Sequence, residues 1–154
     1  YSRKIVGFYL SKTLEATGSI RALKMALQNN KVEQNNLIHH SDRGVQYCCN
    51  AYVEILNNKR IKISMTENGD PLENAIAERV NGILKDELLE DLYKDFESAQ
   101  SGVAKAISVY NHLRPHSSIS YKTPIELHNT NKPVQRKWKN YYIKKELLNV
   151  GINQ

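Results

Sequence analysis

The order of apolar patterns in the first 65 residues limits the folds open to this chain more than any other feature. The predicted elements are a strand at 4–10, a helix at 17–28, a strand at 37–40, a helix at 50–58 and a strand at 61–65. The strands are short runs rich in β-branched, aromatic or other apolar residues, whereas Ile20, Leu23 and Leu27 recur at helical spacing. Strands that alternate with helices indicate an α/β fold in which helices cover a sheet.

In the second half of the chain the sequence patterns predict only helices. An apolar stripe indicates a strongly amphipathic helix over residues 72–89, and its members are Leu72, Ile76, Val80, Ile83, Leu84 and Leu88. A further helix is predicted from Ser98, as its N-cap, to the break at Pro115. The sequence TPIE is a capping box with proline at the first helical position, and it predicts a short helix at 124–129.

Composition favours a cytoplasmic protein with a polyanionic partner. The chain has 154 residues, 40% of them apolar, and no apolar run approaches the roughly 20 residues of a membrane helix. Its two cysteines, Cys48 and Cys49, are adjacent, which suits reduced thiols better than a disulfide. The net charge of +6 makes a polyanion a natural partner, but charge alone does not distinguish DNA from RNA.

We predict one domain over residues 1–129 and a basic tail over residues 130–154. In the tail Trp138, Tyr141 and Tyr142 are interleaved with cations, a combination that suits phosphate contact and base stacking. The candidate DNA-binding residues of the tail are Lys137, Lys139, Lys144 and Lys145. A solvated basic tail with a few packed aromatic rings explains the same pattern equally well.

Asp42 is the first candidate site residue. It follows the predicted strand at 37–40, and ligand-binding residues in α/β sheets are expected just beyond the carboxyl ends of strands. A turn aspartate ahead of Gly44 is the alternative. His39 and His40 point to opposite sides of a strand, so we expect one of them to be packed or hydrogen-bonded, and His40 to lie near the site.

Glu78 is the second candidate. On an α-helix Glu78, Asn81 and Lys85 share one face, away from the apolar stripe. Such a face is usually only a solvated surface, but it also suits a site in which the acid binds a cation and the lysine neutralises a phosphate. Carboxylate oxygens are hard ligands, which favour Mg²⁺ or Mn²⁺ over zinc.

The chain also contains three blocks in a fixed order, which are HSDRGVQY, NGDPLENAIAERVNGILKDEL and YNHLRPHSSISYKTPIEL. Together they resemble the catalytic core of bacterial insertion-sequence transposases of the retroviral-integrase type, the Asp-Asp-Glu recombinases. Asp42 and Glu78 lie 78 − 42 = 36 positions apart, with 35 residues between them, which is the spacing typical of these enzymes. The similarity covers residues 2–128.

This resemblance implies a ribonuclease-H-like fold, a mixed sheet flanked by helices, and DNA strand transfer with two divalent ions, Mg²⁺ or Mn²⁺. By resemblance Asp42 is the second acid of the triad and Glu78 the third. Lys85 is similar to a lysine that approaches DNA near the reacting phosphate, and Arg79 and Asn81 are further DNA contacts. Supporting roles in the site fall to His40, Gly44, Gln46 and Asn74.

The chain departs from the family pattern at its start. The family's first aspartate stands on a first strand, and a second strand follows it, yet no acid precedes Asp42 in a predicted strand here: Glu15 and Glu33 fall in loops or at a helix start. We therefore expect the complete protein to be a transposase that acts on mobile-element ends, and the isolated chain to be inactive. A remnant that binds DNA or the intact enzyme is the main alternative, and another ribonuclease-H-like nuclease is a weaker one. The expected partners are DNA and further copies of the chain, with no membrane.

Overall fold

The computed structural model describes residues 1–29, 37–67 and 73–130. In chain order its elements are α1 (Ala16–Asn29), β1 (Ile38–Ser41), α2 (Val45–Cys48), α3 (Asn50–Asn58), β2 (Lys62–Met65), α4 (Ala75–Ile83), a π-helical turn (Leu84–Leu88), α5 (Phe96–His112), a 3₁₀ turn (Ser117–Ile119) and α6 (Pro124–His128). In this part of the chain no helix is both long and apolar enough to cross a bilayer. Cys48 and Cys49 are both free.

A parallel pair of strands forms the sheet of the described part. β1 and β2 pair from Ile38 opposite Lys62 to Ser41 opposite Met65, and the connection between them contains α2 and α3. The core beside this pair consists of Leu23, Tyr52, Leu56 and Ile61. The α/β prediction is thus confirmed here. Despite its apolar composition β1 is not fully buried, because Ile38 is 61% exposed on a sheet of two strands.

The predicted strand at 4–10 is not formed in the described structure. The segment pairs with no strand, and the buried side chain of Asn111 takes the place of a neighbouring strand at Ile5. The Ile5 N–H donates to Asn111 Oδ1, and Asn111 Nδ2 donates to the Ile5 carbonyl, both at 2.9 Å. Gly7 lets the segment lie against α1, since a Cβ there would be 2.7 Å from the backbone nitrogen of Ala26.

The amphipathic helix predicted at 72–89 is shorter and less regular than expected. Residues 68–72 lie outside the described part, and α4 begins at Ala75. Residues 84–88 form a π turn, after which the Leu89 N–H donates to the Leu84 carbonyl at 2.9 Å. The apolar stripe is only partly buried: Ile83 is 2% exposed, whereas Ile76 is 57% exposed.

Of the two helix N-caps predicted from the sequence, the one for α5 is wrong and the one for α6 is confirmed. The N-cap of α5 is Asp95 rather than Ser98, and Ser98 is the reciprocal partner in the capping box: Asp95 Oδ1 accepts from the Ser98 N–H at 2.7 Å. The error arose because both residue types favour caps and lie three positions apart. The capping box at Thr123, with Glu126 as its partner, is confirmed.

Candidate active site

A cleft of about 580 Å³ opens between residues 6–9, α1, the end of β1 and one face of α4. Its lining on the β1 and α4 sides consists of His39, His40, Ser41, Asp42, Asn74, Ala77 and Asn81. We call this the Asp42 cleft. The structure therefore brings four of the predicted site residues, namely His40, Asp42, Asn74 and Asn81, to one opening.

Asp42 lies immediately after β1 and is exposed. Its Oδ1 accepts a hydrogen bond from the Gly44 N–H at 3.0 Å, which leaves Oδ2 without a hydrogen bond in the described part. Gly44 suits this position because a Cβ would lie 3.0 Å from Asp42 Oδ1 and 2.8 Å from Gln46 Nε2. The turn-aspartate and ligand interpretations are thus compatible, since one oxygen forms the turn and the other has no hydrogen bond in the described part.

Glu78 lies in the first turn of α4 and is also exposed. It is four positions from Asn74 and three from Asn81, which places it on the helical rows of two residues that line the Asp42 cleft. Among the described residues neither Asp42 nor Glu78 takes part in an ion pair. Both carboxylates are therefore available to a cation.

The two histidines of β1 bond to different partners, although both line the Asp42 cleft. His39 is packed against Tyr52, whose ring lies 5.5 Å away and whose hydroxyl is 3.0 Å from Nε2. Burial lowers the pKa of His39, and the charge of His40 adds to this effect. His40 instead bonds through Nδ1 to Ser64 Oγ and through Nε2 to the Glu73 carbonyl, both at 2.9 Å.

Glu73, which lies just before α4, makes hydrogen bonds to β1 and to a residue just beyond the end of β2. Its carbonyl accepts from His40, and its Oε2 accepts from the Glu67 N–H at 2.7 Å. Arg43 and Thr66 follow the carboxyl ends of β1 and β2, and Arg43 Nε donates to the Thr66 carbonyl at 2.7 Å. Sequence reasoning missed these contacts, because two of the three acceptors are backbone carbonyls, which leave no mark in the residue types.

The remaining predicted residues are dispersed. Lys85 lies exposed in the π turn, beyond the regular part of α4. Arg79 is about 100° further round α4 than Glu78 and lines a different cavity. Lys137, Lys139, Lys144 and Lys145 lie outside the described residues. No group of three potential metal ligands occurs within residues 1–29, 37–67 and 73–130.

Comparison with known proteins identifies the family of this chain. Two family models described as integrase core domain match residues 1–71 and 59–124. The chain belongs to the integrase core domain family. The transposase for insertion sequence element IS904 of Lactococcus lactis is 32% identical to this integrase core over 126 residues, which are 80% of this chain and 49% of the relative.

Solved structures support the same assignment at the level of the fold. A chain of the simian T-cell lymphotropic virus intasome has a TM-score of 0.63 at 20% identity. The match covers 84% of this integrase core and 46% of the intasome chain. The catalytic core domain of BIV integrase has a TM-score of 0.58 at 20% identity, with coverages of 91% and 78%. The predicted ribonuclease-H-like fold is confirmed. The chain spans about half the length of the curated relatives it matches.

Proposed function

We propose that this chain supplies two of the three catalytic acids of a metal-dependent DNA recombinase. The enzyme would cleave and join phosphodiesters at the ends of a mobile element. The observation that carries this proposal is the exposed, unpaired Asp42 at the strand end, on a cleft that it shares with Asn74 and Asn81 of the Glu78 helix. Family membership and the relative named as a transposase support the class of reaction.

The donor chemistry fits Mg²⁺ or Mn²⁺. Asp42 and Glu78 offer carboxylate oxygens in exposed positions, and such oxygens are preferred by hard cations. We assign both residues as metal ligands. Bound ions would polarise the scissile phosphodiester and activate the attacking hydroxyl. Because the described residues contain no group of three potential metal ligands, we expect the remaining acid on another segment of the complete protein.

The neighbouring side chains would position DNA rather than metal. Lys85 carries a positive charge on the helix that bears Glu78, and Asn81 offers amide hydrogens at the Asp42 cleft. A π turn such as the one that contains Lys85 is frequent at functional sites. We propose that Lys85 neutralises a phosphate near the reacting one. We also propose that the complete protein acts in the cytoplasm as a homo-oligomer that bridges two DNA ends.

The test is cleavage and joining of element-end DNA by the complete protein, with Mg²⁺ or Mn²⁺ and with Asp42→Asn or Glu78→Gln. We expect both variants to lose activity and to retain DNA binding, since only the metal ligands change. Glu97→Gln is the matched control, because Glu97 is an exposed carboxylate in the first turn of α5. Undiminished strand transfer in either acid variant would remove that residue from the site.

A second candidate is a catalytically inactive remnant that binds DNA or associates with an intact enzyme. The lack of a three-ligand group in the described part favours it for this chain in isolation. It predicts that the chain binds DNA without any metal-dependent cleavage, and that it lowers the activity of an intact relative in a mixture. Cleavage by the isolated chain would exclude this candidate.

We further propose that the tail at 130–154 contacts DNA through Lys137, Lys139, Lys144 and Lys145. Replacing these four lysines with glutamine should reduce the slope of the logarithm of affinity against the logarithm of salt concentration, by roughly 0.9 for each phosphate that the tail no longer neutralises. An unchanged slope would make the tail an ordinary solvated surface.

A further inference from the structure

A second cavity, of about 260 Å³, lies on the opposite side of α4 from the Asp42 cleft. Residues 75, 76, 79, 80 and 83 of α4 line it, whereas the Asp42 cleft is lined by residues 74, 77 and 81, so the two cavities use different faces of one helix. Its polar lining consists of Arg3, Arg79, His116 and Ser118. We call this the arginine cavity.

The arginine cavity has more positive charge than the described residues neutralise. Arg3, Arg79 and Arg114 each lie close enough to His116 to act on its charge. Arg114 is neutralised by Glu87, to which it donates two hydrogen bonds, both of 2.8 Å. Neither Arg3 nor Arg79 has an ion-pair partner within the described ranges. Two residues that line the arginine cavity therefore carry a positive charge without an ion-pair partner in the described ranges.

His116 adds a hydrogen-bond donor that has no acceptor. Its side chain is buried, with the residue 8% exposed, and packs edge-on against Tyr110 at 4.8 Å. Arg114 Nη1 lies 3.3 Å from His116 Nδ1. Because a guanidinium can only donate, Nδ1 must be the acceptor, and the neutral ring carries its proton on Nε2. Nε2 is buried and has no partner in the described part of the chain.

Burial and the surrounding arginines agree with this assignment. Burial lowers the pKa of His116, and Arg114, Arg3 and Arg79 lower it further, so the ring is held neutral. Ile76, Ile83 and Tyr110 give the cavity apolar walls. Charges beside apolar walls interact more strongly than they do in open water, and the exposed Arg79 can be reached by an anion from solvent.

We propose that the arginine cavity binds a backbone phosphate of DNA, with Arg3 and Arg79 as charged donors and the Nε2–H of His116 as a third. Guanidinium groups match the geometry of phosphate oxygens and bind them through paired hydrogen bonds. The assignment rests on the DNA-binding function proposed above. Since the cavity lies across α4 from the Asp42 cleft, its phosphate belongs to a DNA segment other than the reacting one.

The consequence concerns the orientation of α4. Arg79 follows Glu78 directly in this helix. A phosphate held by Arg79 would fix the rotation of α4 about its axis, and with it the direction in which Glu78 points. The arginine cavity would thereby couple DNA binding on one face of the helix to the position of a metal ligand on another.

The first experiment measures the salt dependence of DNA affinity without divalent ions, using the full chain and a short duplex. Arg3→Gln and Arg79→Gln should each weaken binding and reduce the slope by up to roughly 0.9, the contribution of the one phosphate that they share, whereas Lys105→Gln, an exposed change on α5 outside both cavities, should leave the slope unchanged. Arg79→Lys should restore part of the slope. Equal slopes for the two arginine variants and the lysine control would overturn the proposal.

Nuclear magnetic resonance of the His116 ring supplies an independent readout. Adding duplex should shift the Nε2 resonance in the unmodified chain but not in Arg79→Gln. A shift with inorganic phosphate alone, absent with duplex, would mean a free-anion site and would contradict the DNA assignment. So would arginine variants that weaken self-association in sedimentation but leave the salt slope unchanged, because the cavity would then hold a carboxylate of a second copy.

These experiments separate the two proposals. They contain no metal and no cleavage step, so an active Asp42→Asn variant would overturn the assignment of acids without affecting the arginine cavity. Conversely, unchanged DNA affinity in Arg3→Gln and Arg79→Gln would overturn the arginine cavity and leave the acids in place.

Discussion

His40 donates a hydrogen bond from Nε2 to the backbone carbonyl of Glu73 at 2.9 Å. His40 stands two residues before Asp42, and Glu73 stands five residues before Glu78. The bond therefore ties the strand that ends at one candidate acid to the segment that leads into the helix of the other. His40 also accepts from Ser64 Oγ at 2.9 Å, which links it to β2.

The first prediction follows from this hydrogen bond. His40→Ala should lower the metal-dependent activity of the complete protein about 10- to 100-fold, the range usual for residues that orient metal ligands. The Mg²⁺ concentration needed for half-maximal rate should rise, because the two acids lose their mutual orientation. The measurement is a Mg²⁺ titration of strand transfer.

Two variants sharpen this test. His40→Gln keeps an N–H donor that can reach the Glu73 carbonyl and should recover part of the activity. Ser64→Ala removes only the second hydrogen bond and should have the smaller effect. If His40→Ala needs no more Mg²⁺ than the unmodified protein does, His40 does not position the acids.

Asn111 carries the second prediction, which concerns stability. Its side-chain amide forms two hydrogen bonds of 2.9 Å with the backbone of Ile5, and the residue is 6% exposed. Asn111→Ala should lower the free energy of unfolding by about 2 kcal/mol, because two backbone groups of Ile5 lose their partners. Urea denaturation measures this, with the exposed Gln100→Ala on the same helix as the control. A loss no larger than that of the control would mean that water replaces the amide.

The contrast between α3 and residues 4–10 explains how much of the fold could be predicted from the sequence. The prediction of α3 at 50–58 matches its observed bounds, because its apolar spacing is local and its apolar side is buried against α1 and the strands. Residues 4–10 have equally clear strand composition, but a strand also needs a partner. The two backbone hydrogen bonds of Ile5 go instead to the side chain of Asn111, 106 positions away, and no local pattern contains that information.

The same distinction applies to the site. The position of Asp42 at a strand end could be predicted, since the end of an apolar run and the following Gly44 are local signals. Its environment could not, because His40 reaches a backbone carbonyl and the α4 faces depend on where the helix begins. Arg79 illustrates this: the resemblance made it a DNA contact beside Glu78, but it lines the cavity on another face.

The third prediction concerns the ion pair between Arg114 and Glu87. Their bidentate contact joins the segment after α5 to the π turn, with side chains 21% and 42% exposed. Because solvent and salt screen a partly exposed pair, Glu87→Gln should cost only about 1 kcal/mol of unfolding free energy. Thermal denaturation at low and high salt measures it, and the loss should shrink as salt rises. A loss that does not depend on salt would indicate packing rather than charge.

The fourth prediction is an acid-sensitive stability that depends on His39. Burial lowers the pKa of His39 in the folded chain, so near and below pH 6.5 the unfolded chain binds more protons. The free energy of unfolding should therefore fall as pH decreases from about 6.5.

His39→Phe keeps a ring beside Tyr52 but cannot be protonated. The slope of unfolding free energy against pH should therefore decrease in this variant, by an amount that corresponds to less than one proton taken up on unfolding. Tyr52→Phe removes the same hydrogen bond between the two residues, yet it retains the histidine and should keep the acid slope. Urea denaturation from pH 5 to 8 compares the three proteins, and identical slopes for His39→Phe and the unmodified chain would contradict the role given to His39.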